Sequence, residues 1–178
     1  MIIKIKKGLQ KENRKEAKKG AGQMSFERAK EYLKHYGLEE RIMEFSVSSA
    51  TVSEAAAAIG CSEAEIAKTL SFLVADQPIL IVAAGNARIE NGKFKAEFHT
   101  KAKMIPFASV EELIGHAVGG VCPFGVHPEV RIFLDRSLQR FDHIYPACGS
   151  ANSAVKLTVP ELEHITDYQK WVDVCKDV

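Results

Sequence analysis

Gly115-His116-Ala117-Val118-Gly119-Gly120-Val121-Cys122-Pro123-Phe124-Gly125 is the stretch that most limits what this chain can fold into. Gly119 and Gly120 carry no Cβ and let the backbone take positive φ or lie close against a ligand. Pro123 fixes its own φ and biases Cys122 towards extended geometry. Such a segment makes a poor helix and a poor central strand. It reads as a shaped loop, stiff at Pro123, whose amides at Gly119, Gly120, Val121 and Cys122 are available to stabilise negative charge on a substrate oxygen. The alternative is a purely structural turn, the commonest meaning of a Gly/Pro cluster.

A second pointed stretch is Ile66-Ala67-Lys68-Thr69-Leu70-Ser71-Phe72-Leu73-Val74, in which a lone lysine precedes an apolar run. Around these two stretches, strands and helices interleave. Ser25 is a candidate N-cap for a helix with Phe26, Ala29, Tyr32, Leu33 and Tyr36 on one face and Gly37 as its stop. Arg41 to Val47 alternates as a strand. Thr51 or Ser53 caps a helix through Ala55–Ile59 that ends at Gly60. Ser62 caps a short helix through Ala67, placing Lys68 at the boundary with a strand over Thr69–Val74. Asp76-Gln77-Pro78 turns the chain into a second strand, Ile79–Ala84, to make a hairpin.

Asn91 is the expected cap of a helix with Phe94 and Phe98 inside. Lys93, Lys95, Lys101, Lys103 and Arg88 gather as the densest basic cluster of the body, either a solvated face or an RNA contact. Met104–Phe107 reads as a short edge strand because of Pro106, and Ser109 caps Val110–Ile114. Val130–Leu134 and Val155–Val159 read as strands, and Pro160 opens a final helix. The pattern lacks the regular βαβ alternation and the G-x-G-x-x-G of a dinucleotide fold. It predicts one α/β domain with a mixed, strongly curved sheet flanked by helices.

A chain of 178 residues, 46% hydrophobic and 26% charged, has the composition of a globular protein with a sizeable core. No run approaches the roughly eighteen apolar residues of a membrane span, and the N-terminus lacks the pattern of a secretory signal, so the expected location is the cytoplasm. Residues 1–23 hold eight Lys/Arg against two Glu, whereas the remainder holds 16 basic and 21 acidic residues. That division suggests a basic extension or leader over 1–23 and a domain over 24–178. It leaves the acidic body to contact nucleic acid only through local patches.

Cys61, Cys122, Cys148 and Cys175 form no C-x-x-C pair, and the six histidines form no H-E-x-x-H, so neither a metal nor any other cofactor is expected. Cys122 has His116 and His127 near it in sequence, which admits a thiol-nucleophile reading. That reading requires a depressed thiol pKa and a base within reach. What remains is a site built from a fixed cation and backbone dipoles, with Lys68 as the candidate cation; on the residues alone, a lysine at such a boundary more often lays its stem along apolar surface and puts its ammonium in water.

Ile66-Ala67-Lys68-Thr69-Leu70, Val118-Gly119-Gly120-Val121-Cys122-Pro123-Phe124-Gly125 and, more loosely, Cys148-Gly149-Ser150 together resemble the YbaK and prolyl-tRNA-synthetase-associated editing domain family. The resemblance runs from about Met24 to about Leu162. It implies a deacylase that hydrolyses the ester of misacylated tRNA in trans, plausibly tRNA for proline, with aminoacyl-tRNA as partner and an aminoacyl-tRNA synthetase as a second one. It implies that Lys68 faces the Gly119–Pro123 loop across a pocket, with Lys68, Gly119 and Gly120 catalytic and with Thr69, Val121, Cys122, Pro123, Gly149 and Ser150 lining it. Where some members of that family carry Gly-Gly-Lys-Arg-Gly-Leu-Asp, this chain has Cys148-Gly149-Ser150-Ala151-Asn152-Ser153-Ala154. The basic pair and the acid are gone, which leaves the amino acid open. A binding module of the same fold, holding tRNA or an aminoacyl ligand without turnover, is the rival reading.

Overall fold

The structure, a computed structural model, describes residues 20–178. The expected basic extension therefore lies outside the described residues, apart from 20–23. Those four are helical and continuous with a helix, α1, that runs to residue 35. Ser25 is thus inside α1 and does not cap it. Its buried hydroxyl donates to the Gly149 carbonyl at 2.6 Å, so it pins the helix to a distant turn. Phe26, Ala29 and Leu33 form the buried stripe of α1, as their spacing predicts.

Ile42–Glu44 is strand β1. The expected strand to Val47 stops short because the chain bends at Ser46 and Val47, after a last bond from the Phe45 amide to the Asn152 carbonyl. Helix α2, Val52–Ile59, starts at a capping box between Thr51 and Glu54 and ends at Gly60 in left-handed geometry. A similar box between Ser62 and Glu65 closes a single 3-10 turn, Glu63–Glu65.

Strand β2 follows at once, Ile66–Val74, so Lys68 is the third residue of a strand and not a helix–strand boundary. Ala75 and Asp76, both at positive φ, make the turn into β3, Gln77–Ala84. The hairpin is in continuous register from Ala67↔Ala84 to Val74↔Gln77, as anticipated, though Gln77 and Pro78 belong to the strand.

Strand β4, Ala87–Ile89, leads into helix α3, Asn91–Phe98, which is capped by the Glu90 carboxylate and not by Asn91. The Glu side chain reaches the Gly92 and Lys93 amides, a role that sequence preference gives first to Asn or Asp. Met104 makes only an isolated bridge to Phe72, and residues 107–109 form a 3-10 turn, so the expected strand there is absent. Helix α4, Val110–Ile114, precedes the glycine loop, and Ser109 makes no side-chain cap bond to it.

The remaining elements are β5 (Arg131–Asp135), β6 (His143–Pro146), β7 (Ser153–Val155), β8 (Leu157–Thr158), α5 (Val159–Ile165), β9 (Tyr168–Val172) and β10 (Cys175–Asp177). The expected strand over 155–159 is divided between β7, β8 and the start of α5. Thr158, boxed with Glu161, caps that helix, and Pro160 falls in its first turn.

A mixed, curved sheet of order β8-β6-β2-β3-β5-β9 forms the body, with small pairs β1-β7 and β10-β4 beside it. β3 is its spine: residues 79–84 are all buried. A Phe72–Phe94–Phe98–Phe133 chain, with centroids 4.7–5.2 Å apart, packs α3 on one face. The sheet is of the class the residue pattern predicts. No helix among the described residues is long and apolar enough to cross a membrane.

Candidate active site

The open feature of the sheet is one edge of β2. β6 pairs with that edge only at Ile66 and Ala67. Farther along, residues 103–105 return to it: the Leu73 amide donates to the Lys103 carbonyl at 2.9 Å and the Ile105 amide to the Ser71 carbonyl at 3.1 Å. The alternation of an antiparallel ladder puts the N–H and C=O of Thr69 on this same edge, in the interval neither neighbour reaches. A cavity of ≈ 220 Å³ occupies the interval. Lys68, Thr69 and Ser71 of β2 line it on one side and Gly119 and Val121 of the glycine loop on another, with Ser49 ahead of α2.

The cavity wall is apolar with a few hydroxyls. Ser49, itself nine-tenths buried, and Thr69 have side-chain oxygens shut away from solvent with no hydrogen-bond partner among the described residues. A buried hydroxyl without a partner costs about 1–3 kcal/mol, so two of them on one cavity are a latent demand for a polar ligand. Lys68 is the cavity's charged side chain, and no His, Cys, Asp or Glu lines it among the described residues.

The glycine loop holds its shape by internal bonds. Gly119 sits at φ +93°, with Ala50 and Ala151 flanking the place where a Cβ would be, 3.3 Å from each methyl. A Cβ on Gly120 would meet the Ser150 amide nitrogen at 2.4 Å, so the loop lies directly on the Gly149–Ser150 turn. The four amides are not equivalent. Gly120 donates to the Ala117 carbonyl at 3.1 Å and Cys122 to His116 Nδ1 at 3.3 Å, both spent on the loop itself. Gly119 and Val121 remain, without a protein acceptor among the described residues.

Other expected site residues stand behind this wall. Cys122 is fully buried, with Sγ 3.7 Å from His116 Nδ1. The pair does meet in space, but burial pushes the thiol up to about 12 and the imidazole down to about 4, the reverse of an activated thiolate pair. This arrangement gives no support to the thiol-nucleophile reading. Pro123 and Gly149 are buried, and the Ser150 hydroxyl bonds Asn152 and Ser153, so these residues support the loop from below and do not line the cavity.

Lys68 bounds the cavity together with Gly119 and Val121 of the glycine loop. Strand alternation sends its side chain to the face of Leu70 and Phe72, opposite to Thr69 and Ser71. Its Nζ donates to the Gly85 carbonyl at 2.9 Å, and half-burial lowers its pKa. The ammonium is therefore tied to the backbone just beyond the end of β3. Ser49 and Ser71 were not foreseen, because nothing local marks a serine as cavity wall. Among the described residues no group of His, Cys, Asp and Glu is placed to hold a metal ion.

Comparison with known proteins gives this arrangement a class. Residues 47–165, which include β2, the cavity and the glycine loop, match the aminoacyl-tRNA editing domain. The chain belongs to that family. It is 47% identical over 155 residues to the uncharacterized protein YwhH of Bacillus subtilis (strain 168), covering 86% of this chain and 99% of that one. It is 30% identical over 105 residues to a proline–tRNA ligase of Streptococcus sanguinis (strain SK36); these are 57% of this chain but only 17% of the ligase. The crystal structure of a candidate trans-editing enzyme for prolyl-tRNA synthetase superposes with a TM-score of 0.77 at 27% identity, over 85% of this chain and 97% of that one.

Proposed function

We propose that the protein hydrolyses the ester of misacylated tRNA, acting in trans in the cytoplasm and on tRNA for proline. The observation that carries the reading is the gap in the β2 edge, where unspent backbone groups of Thr69, Gly119 and Val121 border one small cavity. An aminoacyl ester is already activated relative to an amide, so catalysis needs orientation, a developing oxyanion held by preorganised donors, and access for water. The Gly119 and Val121 amides supply the donors. The Thr69 carbonyl and the Ser49 and Thr69 hydroxyls receive the polar atoms of the acyl group. Water adds to the acyl carbon, the bond to the ribose oxygen breaks, and the amino acid leaves with the added oxygen. In a substrate that bears a thiol, its sulfur can attack the acyl carbon instead, the thiol proton passing to the departing ribose oxygen, and water then opens the cyclic thioester so formed.

Lys68 retains two N–H donors beyond the one it gives to Gly85 and contributes positive potential to the acceptor end of the substrate. A separate editing pocket answers a physical need, since one methylene distinguishes amino acids by only about 1–3 kcal/mol in the synthetic site. The likeness to proline–tRNA ligases and to a trans-editing candidate supports tRNA for proline.

A second reading, a binding module that holds an aminoacyl ligand without turnover, is favoured by the tie of Lys68 to Gly85 and by the absence of His, Cys, Asp and Glu from the cavity wall among the described residues. Deacylation of Ala-, Cys- and Ser-charged tRNA for proline separates the two. Turnover that is lost in Lys68→Ala supports the hydrolase, and binding without turnover supports the module.

A further inference from the structure

Apolar side chains stand exposed around the mouth of the same cavity. Phe107 is 79% exposed, Met104 58% and Val118 39%, and all three line the opening. Apolar side chains grouped in the open around one cavity mark a binding surface. Its position is fixed: the backbone bonds at Lys103 and Ile105 pin the segment to β2, and Pro106 caps the 3-10 turn that carries Phe107. Lys101 and Lys103 precede Met104 on the same segment, are exposed, and make no ion pair among the described residues. Lys93, in contrast, is tied to Asp173 at 2.7 Å.

We infer that Phe107, with Met104 and Val118, is a stacking platform for the terminal base of the RNA whose acyl group enters the cavity, and that Lys101 and Lys103 meet the phosphates of the nucleotides before it. This rests on the deacylase reading. The covalent order of the substrate sets the order of contacts. With the acyl group inside, the ribose stands at the mouth, its base lies over the rim, and the chain leaves across the lysines. Aromatic stacking accepts any base and contributes about five- to hundredfold in affinity per base, while lysine–phosphate contacts make binding salt-dependent. The rim thus serves affinity and positioning, and the cavity serves the choice of acyl group.

The test uses Phe107→Ala, Phe107→Trp and the double variant Lys101→Ala/Lys103→Ala of the full chain. Phe107→Ala raises KM for acylated RNA about tenfold, by more than it lowers kcat, and Phe107→Trp restores it. On a substrate whose terminal nucleotide lacks its base, wild type and Phe107→Ala become equal. The double lysine variant flattens the dependence of log affinity on log salt by about 0.7 per lost phosphate contact. Binding of a labelled, uncharged RNA oligonucleotide ending in CCA is measured alongside, so that failure of hydrolysis alone overturns the deacylase reading and leaves the platform to be decided by binding. Equal oligonucleotide affinity for wild type and Phe107→Ala, no measurable affinity for wild type, or a Phe107→Ala defect that persists on the base-less substrate overturns the platform.

Discussion

The Nζ of Lys68 donates to the carbonyl oxygen of Gly85 at 2.9 Å, folding the ammonium back over its own hairpin. Half-burial lowers its pKa, so a cation is kept in a place that disfavours charge with one neutral acceptor for three donors. Such an arrangement costs stability rather than adding to it. Lys68→Met is expected to hold or raise the melting temperature, by up to about 3 °C, while deacylation falls at least about a hundredfold. Thermal melts and single-turnover hydrolysis, run on the same preparation, check the pair. A large loss of stability would show that the lysine is structural.

Thr69→Val tests the unpartnered hydroxyl in the same spirit. The change keeps shape, removes a buried oxygen that has no partner, and is expected to stabilise by up to about 1 kcal/mol. If that oxygen receives a polar atom of the substrate, turnover falls about tenfold or more, and falls further for Ser-charged than for Ala-charged tRNA. Denaturant melts and rates on the two substrates are the measurements.

Gly119→Ala places a methyl where φ is +93° and where the Ala50 and Ala151 methyls lie 3.3 Å from it. The backbone term costs about 1–2 kcal/mol. Because the Gly119 amide borders the cavity, the rate is expected to fall by more than the loss of stability explains. Hydrolysis measured well below the melting transition separates the two effects.

His116 predicts an acid limit. Burial, and secondarily the Arg28 charge, lower its pKa from 6.5 to about 4, so the folded chain keeps it neutral. Below about pH 6.5 the unfolded chain takes up a proton that the folded chain does not. Stability therefore falls as pH drops from about 6.5 to about 4, by up to about 1.4 kcal/mol per pH unit. His116→Gln, which retains an acceptor for the Cys122 amide, is expected to remove that part of the slope in urea melts at pH 7 and pH 5.

Much of the scaffold was legible in local chemistry. The capping residues Thr51 and Ser62, the stop at Gly60, the β2–β3 hairpin and the irregular loop after Ile114 follow from side-chain preferences over a few positions. Ser25 misled because an N-cap serine and a serine bonding across to Gly149 look alike in sequence. β9 and β10 went unread: Tyr168–Val172 shows no clean alternation, and its place beside β5 is a long-range matter. For the site, Lys68 and the glycine loop stand out in the sequence and bound one cavity, but the direction of the ammonium does not stand out. The alternation of β2 contained that direction, since Lys68 shares parity with Phe72. The gap in the β2 edge could not be read locally, because it is defined by where β6 stops and where residues 103–105 return.

Single-turnover deacylation of Ala-, Cys- and Ser-charged tRNA for proline by wild type, Lys68→Ala and Cys122→Ala tests the cavity as the seat of hydrolysis most directly. The expected result is release of at least one amino acid by wild type, loss of about a hundredfold or more in Lys68→Ala, and a rate within about threefold of wild type in Cys122→Ala, whose thiol is sealed from the cavity and pushed up to about 12. Full activity in Lys68→Ala together with inactivity in Cys122→Ala, or no release from any of the three substrates, would contradict it.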